Sequence, residues 1–146
     1  MIHIDVIAVG RMRQKPLLDL RDDYGKRITW PLILHEIDDR RPEQVETRLL
    51  EKIAPGGFLF VLDERGKALP SADFAKRLGD LAEQGRNPVQ FIIGGADGLS
   101  DAIRARAQFL LSFGSQTWPH MLARIMLIEQ IYRAQQILSG HPYHRA

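Results

Sequence analysis

Val89-Gln90-Phe91-Ile92-Ile93-Gly94-Gly95-Ala96-Asp97-Gly98-Leu99-Ser100 decides the fold. The first five residues form a short β-branched and aromatic run with almost no polar alternation. That pattern suits a strand covered on both faces, as in a parallel sheet. A glycine turn follows, and a short helix is expected from about Ser100. Upstream, Phe58-Leu59-Phe60-Val61-Leu62 has the same character, bounded by glycines on one side and charges on the other. Residues 2–9 and 32–37 are also strand-like, and helices are expected over about 15–28 and 42–54. Pro42 opens the second of these, and Pro55-Gly56-Gly57 ends it. Ser71 reads as the N-cap of a helix running to Gln84, with Gly85 as its stop. Downstream lies another apolar segment, Phe109-Leu110-Leu111-Ser112-Phe113. Pro119 suits the first turn of a last helix reaching about Ser139. Strands separated by helix-length segments predict an α/β fold with a parallel sheet.

The chain has 146 residues, a single-domain length, so one domain is expected over residues 1–146. With 45% hydrophobic and 26% charged residues it can fill one core and stay folded in water. No apolar run approaches the roughly 20 residues of a membrane span. The opening Met1-Ile2-His3-Ile4-Asp5-Val6-Ile7-Ala8-Val9 places its basic residues after the apolar stretch, which suits a first strand and not a secretory signal. A cytoplasmic location is the expectation. There is no cysteine, which excludes disulfides, thiolate nucleophiles and iron–sulfur clusters. Net charge is only +2, but it is unevenly spread. Residues 1–100 hold 15 Lys/Arg against 16 Asp/Glu, whereas residues 101–146 hold five Arg against Asp101 and Glu129. An anionic partner is therefore expected to meet the C-terminal third.

In the last helix, Leu122, Ile125, Met126, Leu127, Ile128, Ile131, Tyr132 and Leu138 spread around most of the circumference. A helix apolar nearly all round is buried on several sides. Either a second copy of the chain supplies the extra surface, giving a homodimer, or the helix is sandwiched within one chain.

A glycine turn at the C-terminal end of a parallel strand is where α/β proteins receive ligands, because backbone approaches freely there. A tight turn needing positive φ would use the same residues. The spacing Gly94-Gly95-x-x-Gly98 is not a dinucleotide fingerprint, and no Asp or Glu occurs between Ala102 and Ile128 to hold a ribose. No Gly-Lys-Ser/Thr follows, so it is not a P-loop either. Phe113-Gly114-Ser115-Gln116-Thr117-Trp118 is a second glycine-bearing turn; Trp118 suits either packing on a base or a place in the core. Leu62-Asp63-Glu64-Arg65-Gly66-Lys67 is a third. All three fall at strand ends and are expected to converge on one pocket. The tail His141-Pro142-Tyr143-His144-Arg145 offers two imidazoles, a phenol and a guanidinium, suited to phosphate and base. It fits no metal site, so no metal is expected. Arg124 and Arg133 extend a cationic face, and Glu129 with Arg133 forms a structural i,i+4 pair. His3 and His35 read as structural.

Four motifs occur in order: the Gly94-Gly95-x-x-Gly98-Leu99-Ser100 turn, Pro119-His120-x-Leu122-x-Arg124, Glu129-Gln130-x-Tyr132-Arg133-Ala134, and His141-Pro142-Tyr143-His144-Arg145. Together they resemble the small bacterial ribosomal large-subunit pseudouridine N3-methyltransferases, the RlmH family of the SPOUT class. The likeness is dense over residues 89–146 and thin over 11–56. It implies a C-terminal trefoil knot, S-adenosylmethionine as methyl donor, a homodimer, and the assembled ribosome as substrate. Carried over by position, the cofactor pocket is Leu62, Gly94, Gly95 and Phe113, Gly114, Ser115, Gln116, Thr117 and Trp118. Phe113-Gly114 stands where the family commonly has leucine-serine, Trp118 where it has a smaller apolar residue, and Ala146 where it has an acid.

Methyl transfer from a sulfonium needs alignment and removal of the N3 proton, not a metal. Imidazole titrates near neutral pH, so His144, ahead of His141, is the expected base. Tyr143 is expected to stack on the target base, and Arg145, Arg133 and Arg124 to hold phosphates. The alternatives are a related methyltransferase acting on transfer RNA and a non-catalytic ribosome-associated factor.

Overall fold

The structure, a computed structural model, describes residues 1–145; Ala146 lies outside them. In chain order the elements are β1 (Ile4–Val9), α1 (Lys15–Arg27), β2 (Leu32–Ile37), α2 (Pro42–Lys52), β3 (Phe58–Ala68), α3 (Ser71–Glu83), β4 (Val89–Ile93), α4 (Asp101–Arg106), β5 (Phe109–Ser112) and α5 (His120–Leu138). All five strands pair in parallel, in the order β2-β1-β4-β3-β5. The expected α/β class and parallel sheet are therefore present.

Side chains alternate across the sheet with the period of two that a strand imposes. Val6 of β1, Phe60 of β3 and Phe91 of β4 face α1, α3 and α5, while Ile7, Val61 and Ile92 face α2 and α4. On the first face Phe60 and Phe91 stack at 4.7 Å with planes 9° apart, and Phe74 of α3 meets both edge-on. This aromatic centre fixes β3 beside β4.

Two sequence expectations are revised. Residues 62–67 do not form a turn: β3 continues to Ala68, and Leu111 of β5 stands opposite both Leu62 and Lys67 across an irregular register. Gly66 permits this, since a Cβ there would overlap the Leu110 backbone. Ser71 does not cap α3; Pro70 occupies the cap position, and the Ser71 hydroxyl bonds Gln130 Oε1 at 2.7 Å.

The last helix is sandwiched within the chain. Ile125, Leu127, Ile128, Ile131 and Tyr132 are buried between the sheet, α1 and α3. Leu122 and Leu138 remain exposed. Its all-round apolar character is thus accounted for mainly inside one chain. Among the described residues, no helix is long and apolar enough to cross a membrane.

Phe91 is fully buried at the centre of the stack. Phe91→Ala should therefore destabilise the fold by about 3–5 kcal/mol. Urea unfolding followed by circular dichroism at fixed protein concentration measures this, and an unmoved midpoint would contradict the assignment.

Candidate methyl-donor cavity and C-terminal tail

Parallel strands place every C-terminal end at one edge of the sheet, and the three glycine-bearing segments meet there. They enclose a cavity of about 430 Å³ lined by Leu62, Asp63, Glu64 and Arg65 of β3, Ile93 through Gly95, Gly98, Leu99, Arg104 of α4, and Leu111. Phe113, Gly114, Gln116, Thr117, Trp118, His120 and Ala123 complete it. Ser115 is exposed and is not part of the lining. The other eight expected cofactor residues all face this cavity.

The glycines act through local geometry. Gly98 has φ +73° and donates its N–H to the Gly95 carbonyl at 3.1 Å. A Cβ on Gly94 would lie 3.0 Å from Leu99 Cγ and 3.1 Å from the Gly98 carbonyl carbon. The requirement for glycine at position 94 thus comes from the turn folding back on itself, which leaves bare backbone at the cavity wall. Ser100 then caps α4 by accepting from the Ile103 N–H at 3.4 Å. In the second loop Gly114, at φ +106°, donates to Ser112 Oγ at 3.0 Å. The Ser112 hydroxyl also lies 3.1 Å from the Glu64 carbonyl oxygen, tying this loop to the β3 tail. Trp118 donates its indole N–H to the Phe113 carbonyl at 3.3 Å, leaving the ring 39% exposed at the rim.

The charged wall is largely paired. Arg65 donates to both Asp63 oxygens, and Arg104 Nε lies 3.6 Å from Asp63 Oδ2. The Arg65 hydrogen bonds hold the Asp63 carboxyl below the usual carboxylate range, against the opposing effect of burial. Arg104 also bonds the Leu99 carbonyl and Asp101. Thr117 donates to Glu64 Oε2 at 3.2 Å, joining the second and third segments across the mouth. Apolar side chains, open glycine backbone and charges of both signs suit a purine nucleoside carrying a zwitterionic amino acid, so these residues fit S-adenosylmethionine. Among the described residues, no group of three or more His, Asp or Glu side chains is arranged to hold a metal.

Sequence reasoning missed Arg104 and Ala123. Both lie within about one helical turn past the residues singled out at the start of a helix, and helical spacing from Ser100 and Pro119 was the available signal.

The C-terminal tail folds back on α5. Tyr143 donates its hydroxyl to Glu129 Oε2 at 2.6 Å, and its ring meets Tyr132 edge-on at 4.8 Å. Burial, then the Glu129 carboxylate, pushes the phenol above its ordinary value, so it stays protonated as a donor. Arg133 bonds Glu129 at 2.8 Å and lies 3.0 Å from His144 Nδ1. A guanidinium only donates, so Nδ1 accepts and the neutral ring carries its proton on Nε2. His141 Nδ1 accepts from the Tyr143 N–H at 3.1 Å, and Arg145 is exposed. None of these tail residues lines the cavity of its own chain.

Arg124 does not extend a cationic face. It is 4% exposed, bonds Glu36 Oε2 at 2.8 Å, and donates to the carbonyls of Val9 and Gly10 at 3.1 Å each. Burial pulls its pKa down, with Glu36 opposing. A guanidinium so enclosed is unavailable to phosphate.

Comparison with known proteins bears on the family and the fold. A family model described as "Predicted SPOUT methyltransferase" matches residues 2–144. A relative from Rhodospirillum centenum named Ribosomal RNA large subunit methyltransferase H is 52% identical over 146 residues, covering 95% of this chain and 96% of that protein. One of the same name from Zymomonas mobilis is 44% identical over 144 residues, covering 99% of each. Among solved structures, a probable methyltransferase from Bordetella pertussis superposes with TM-score 0.61 at 11% identity, over 90% of this chain and 95% of that one. The SpoU methyltransferase AviRb from Streptomyces viridochromogenes, in complex with AdoMet, gives TM-score 0.53 at 16% identity over 92% of this chain and 58% of that one. These two likenesses concern the fold. By its match over nearly the whole sequence and its close relatives, the chain belongs to the SPOUT methyltransferase family, among the large-subunit ribosomal RNA methyltransferase H proteins.

Proposed function

We propose that this chain is an S-adenosylmethionine-dependent methyltransferase acting on N3 of a pseudouridine in large-subunit ribosomal RNA on the assembled ribosome. The observation that carries this reading is the meeting of Leu62–Arg65, Ile93–Leu99 and Phe113–Trp118 around one cavity, in a chain of this family. One domain, spanning the chain, works in the bacterial cytoplasm. The reading includes the trefoil knot, which rests on membership of the SPOUT family.

Bound in this cavity, the cofactor supplies a methyl group on a positively charged sulfur that is its own leaving group. The protein's task is alignment, which is worth roughly 7–11 kcal/mol in well-oriented reactions. Gly94 and Gly95 offer unobstructed backbone, Leu62, Leu99 and Phe113 close an apolar wall, and Trp118 covers the rim. Exclusion of water then strengthens every polar contact inside.

The proton on N3 must also leave. His144 is the proposed base, with His141 second and Tyr143 positioned to stack on the target base. Because no tail residue lines its own cavity, the reading requires a homodimer in which one tail completes the partner's site. Two local bonds must then be exchanged, Tyr143 to Glu129 and Arg133 to His144, since the latter occupies the Nδ1 lone pair while the tail rests on α5. With Arg124 buried, Arg133 and Arg145 are the cations of this region that remain for phosphate.

Three outcomes test these roles. Calorimetric titration should give micromolar cofactor affinity, about −8 kcal/mol, and Gly94→Val should abolish it by splaying the turn; retained affinity would remove that turn from the site. His144→Ala should leave cofactor binding intact while slowing single-turnover methylation by roughly 10²–10⁴-fold. Nucleoside mass analysis of ribosomal RNA from a strain lacking the chain should show one N3-methylpseudouridine missing from the large subunit. A loss found in transfer RNA instead would move the substrate assignment, and no loss at all would favour a non-catalytic factor.

A further inference from the structure

Removal of Arg124 from the cationic set leaves the question of what meets the RNA backbone. Arg133 is paired with Glu129, and Arg104 with Asp63 and Asp101. Arg106 and Arg145 are exposed single cations, and a group of three exposed arginines lies in the N-terminal part of the chain. Arg11 and Arg13 are both exposed in the loop joining β1 to α1, and Arg41 is exposed in the adjoining loop from β2 to α2. Among the described residues, no carboxylate oxygen lies within 4.0 Å of the side-chain nitrogens of these three, whereas Lys15 is paired with Asp19 and Arg40 with Asp38.

The first loop is held in one shape. Met12, between the two arginines, is 3% exposed, and its N–H donates to Glu36 Oε2 at 2.9 Å. The same Glu36 oxygen receives Arg124 at 2.8 Å, and Gly10 N–H donates to the Ile37 carbonyl at 2.8 Å. With Met12 driven inward, Arg11 and Arg13 on either side of it are presented outward from a fixed backbone. Little ordering is then left to be done when an anion arrives.

Position relates this loop to the cavity. A Cβ on Gly10 would lie 3.1 Å from Asp39 Oδ2 and 3.6 Å from Met121 Cε. Met121 sits in the first turn of α5, between His120 and Ala123, which line the cavity. The loop therefore lies at the cavity's flank, on the same edge of the sheet.

We propose that Arg11 and Arg13, assisted by Arg41, form a docking surface for the sugar–phosphate backbone of the RNA beside its target nucleotide. This rests on the reading of the chain as a ribosomal RNA methyltransferase and adds to it the surface that receives the substrate. Guanidinium groups suit phosphate through paired donors, and contacts of this kind fix register while carrying no sequence information.

The test measures binding of the full-length protein to ribosomal particles from a strain lacking the chain, between about 50 and 200 mM salt. Arg11→Gln with Arg13→Gln should reduce the slope of log affinity against log salt by about 2, one for each phosphate no longer neutralised. KM for the particles should rise, while calorimetric affinity for S-adenosylmethionine stays at the wild-type value. Arg11→Lys with Arg13→Lys should restore most of the slope, because the charge is kept. Lys52→Gln, exposed at the opposite edge of the sheet, should change neither slope nor KM, separating local grip from net charge. An unchanged slope and KM in the glutamine pair, or an equal effect from Lys52→Gln, would overturn the proposal. If the wild-type protein itself neither binds nor methylates the particles, the function reading fails and takes this surface with it.

Discussion

A single guanidinium, Arg124, joins the last helix to the sheet from which the site is built. It reaches from α5 to the carbonyl ends of β1 and to Glu36 on β2, three points separated by more than a hundred residues in sequence at the widest. Burying the guanidinium is costly, and Glu36, itself partly open to water, offsets that cost together with the two carbonyls. The arrangement is therefore one of position more than of stability. With α5 fixed at its first turns, the loop that precedes it, Phe113–Trp118, is anchored at both ends, by β5 and by α5. The cavity inherits its shape from that restriction.

Much of the architecture is legible in the sequence because period and punctuation agree. Val89–Ile93 is found as a strand with the bounds its composition suggests, and Gly85, Gly94 and Pro42 sit where elements stop or start. The β3 tail was not legible: Asp63, Glu64, Arg65 and Lys67 look like a solvated turn, and only the missing side chain of Gly66 lets that charged segment stay in register with a neighbour. Arg124 misled for a related reason. Residue type gives the charge, whereas depth depends on which carbonyls a helix happens to cross. The apolar girth of α5 pointed to several burying surfaces and could not distinguish α1 and α3 of the same chain from a second molecule.

The site shows the same division. Glycine turns after buried strands locate the cavity because backbone topology alone puts them there, and Ser115 fell outside it since adjacent residues in a loop point different ways. The tail is different. Its composition indicates what it can do chemically, but its resting place on Glu129, Tyr132 and Arg133 follows from tertiary contacts. In that state Arg133 occupies the very lone pair a base must offer. On the function proposed above, chemistry and storage fall to the same imidazole in two different settings.

The seam where Gly66 meets Leu110 sets a limit on how far this molecule can drift. Every other amino acid would push two strands apart at the point where one of them supplies Leu62 and Asp63 and the other leads into Phe113. Such a change need not unfold the core, since the aromatic stack lies at the opposite end of β3. It would instead widen the seat for a small molecule, so a lineage could lose its chemistry there while keeping a well-formed chain.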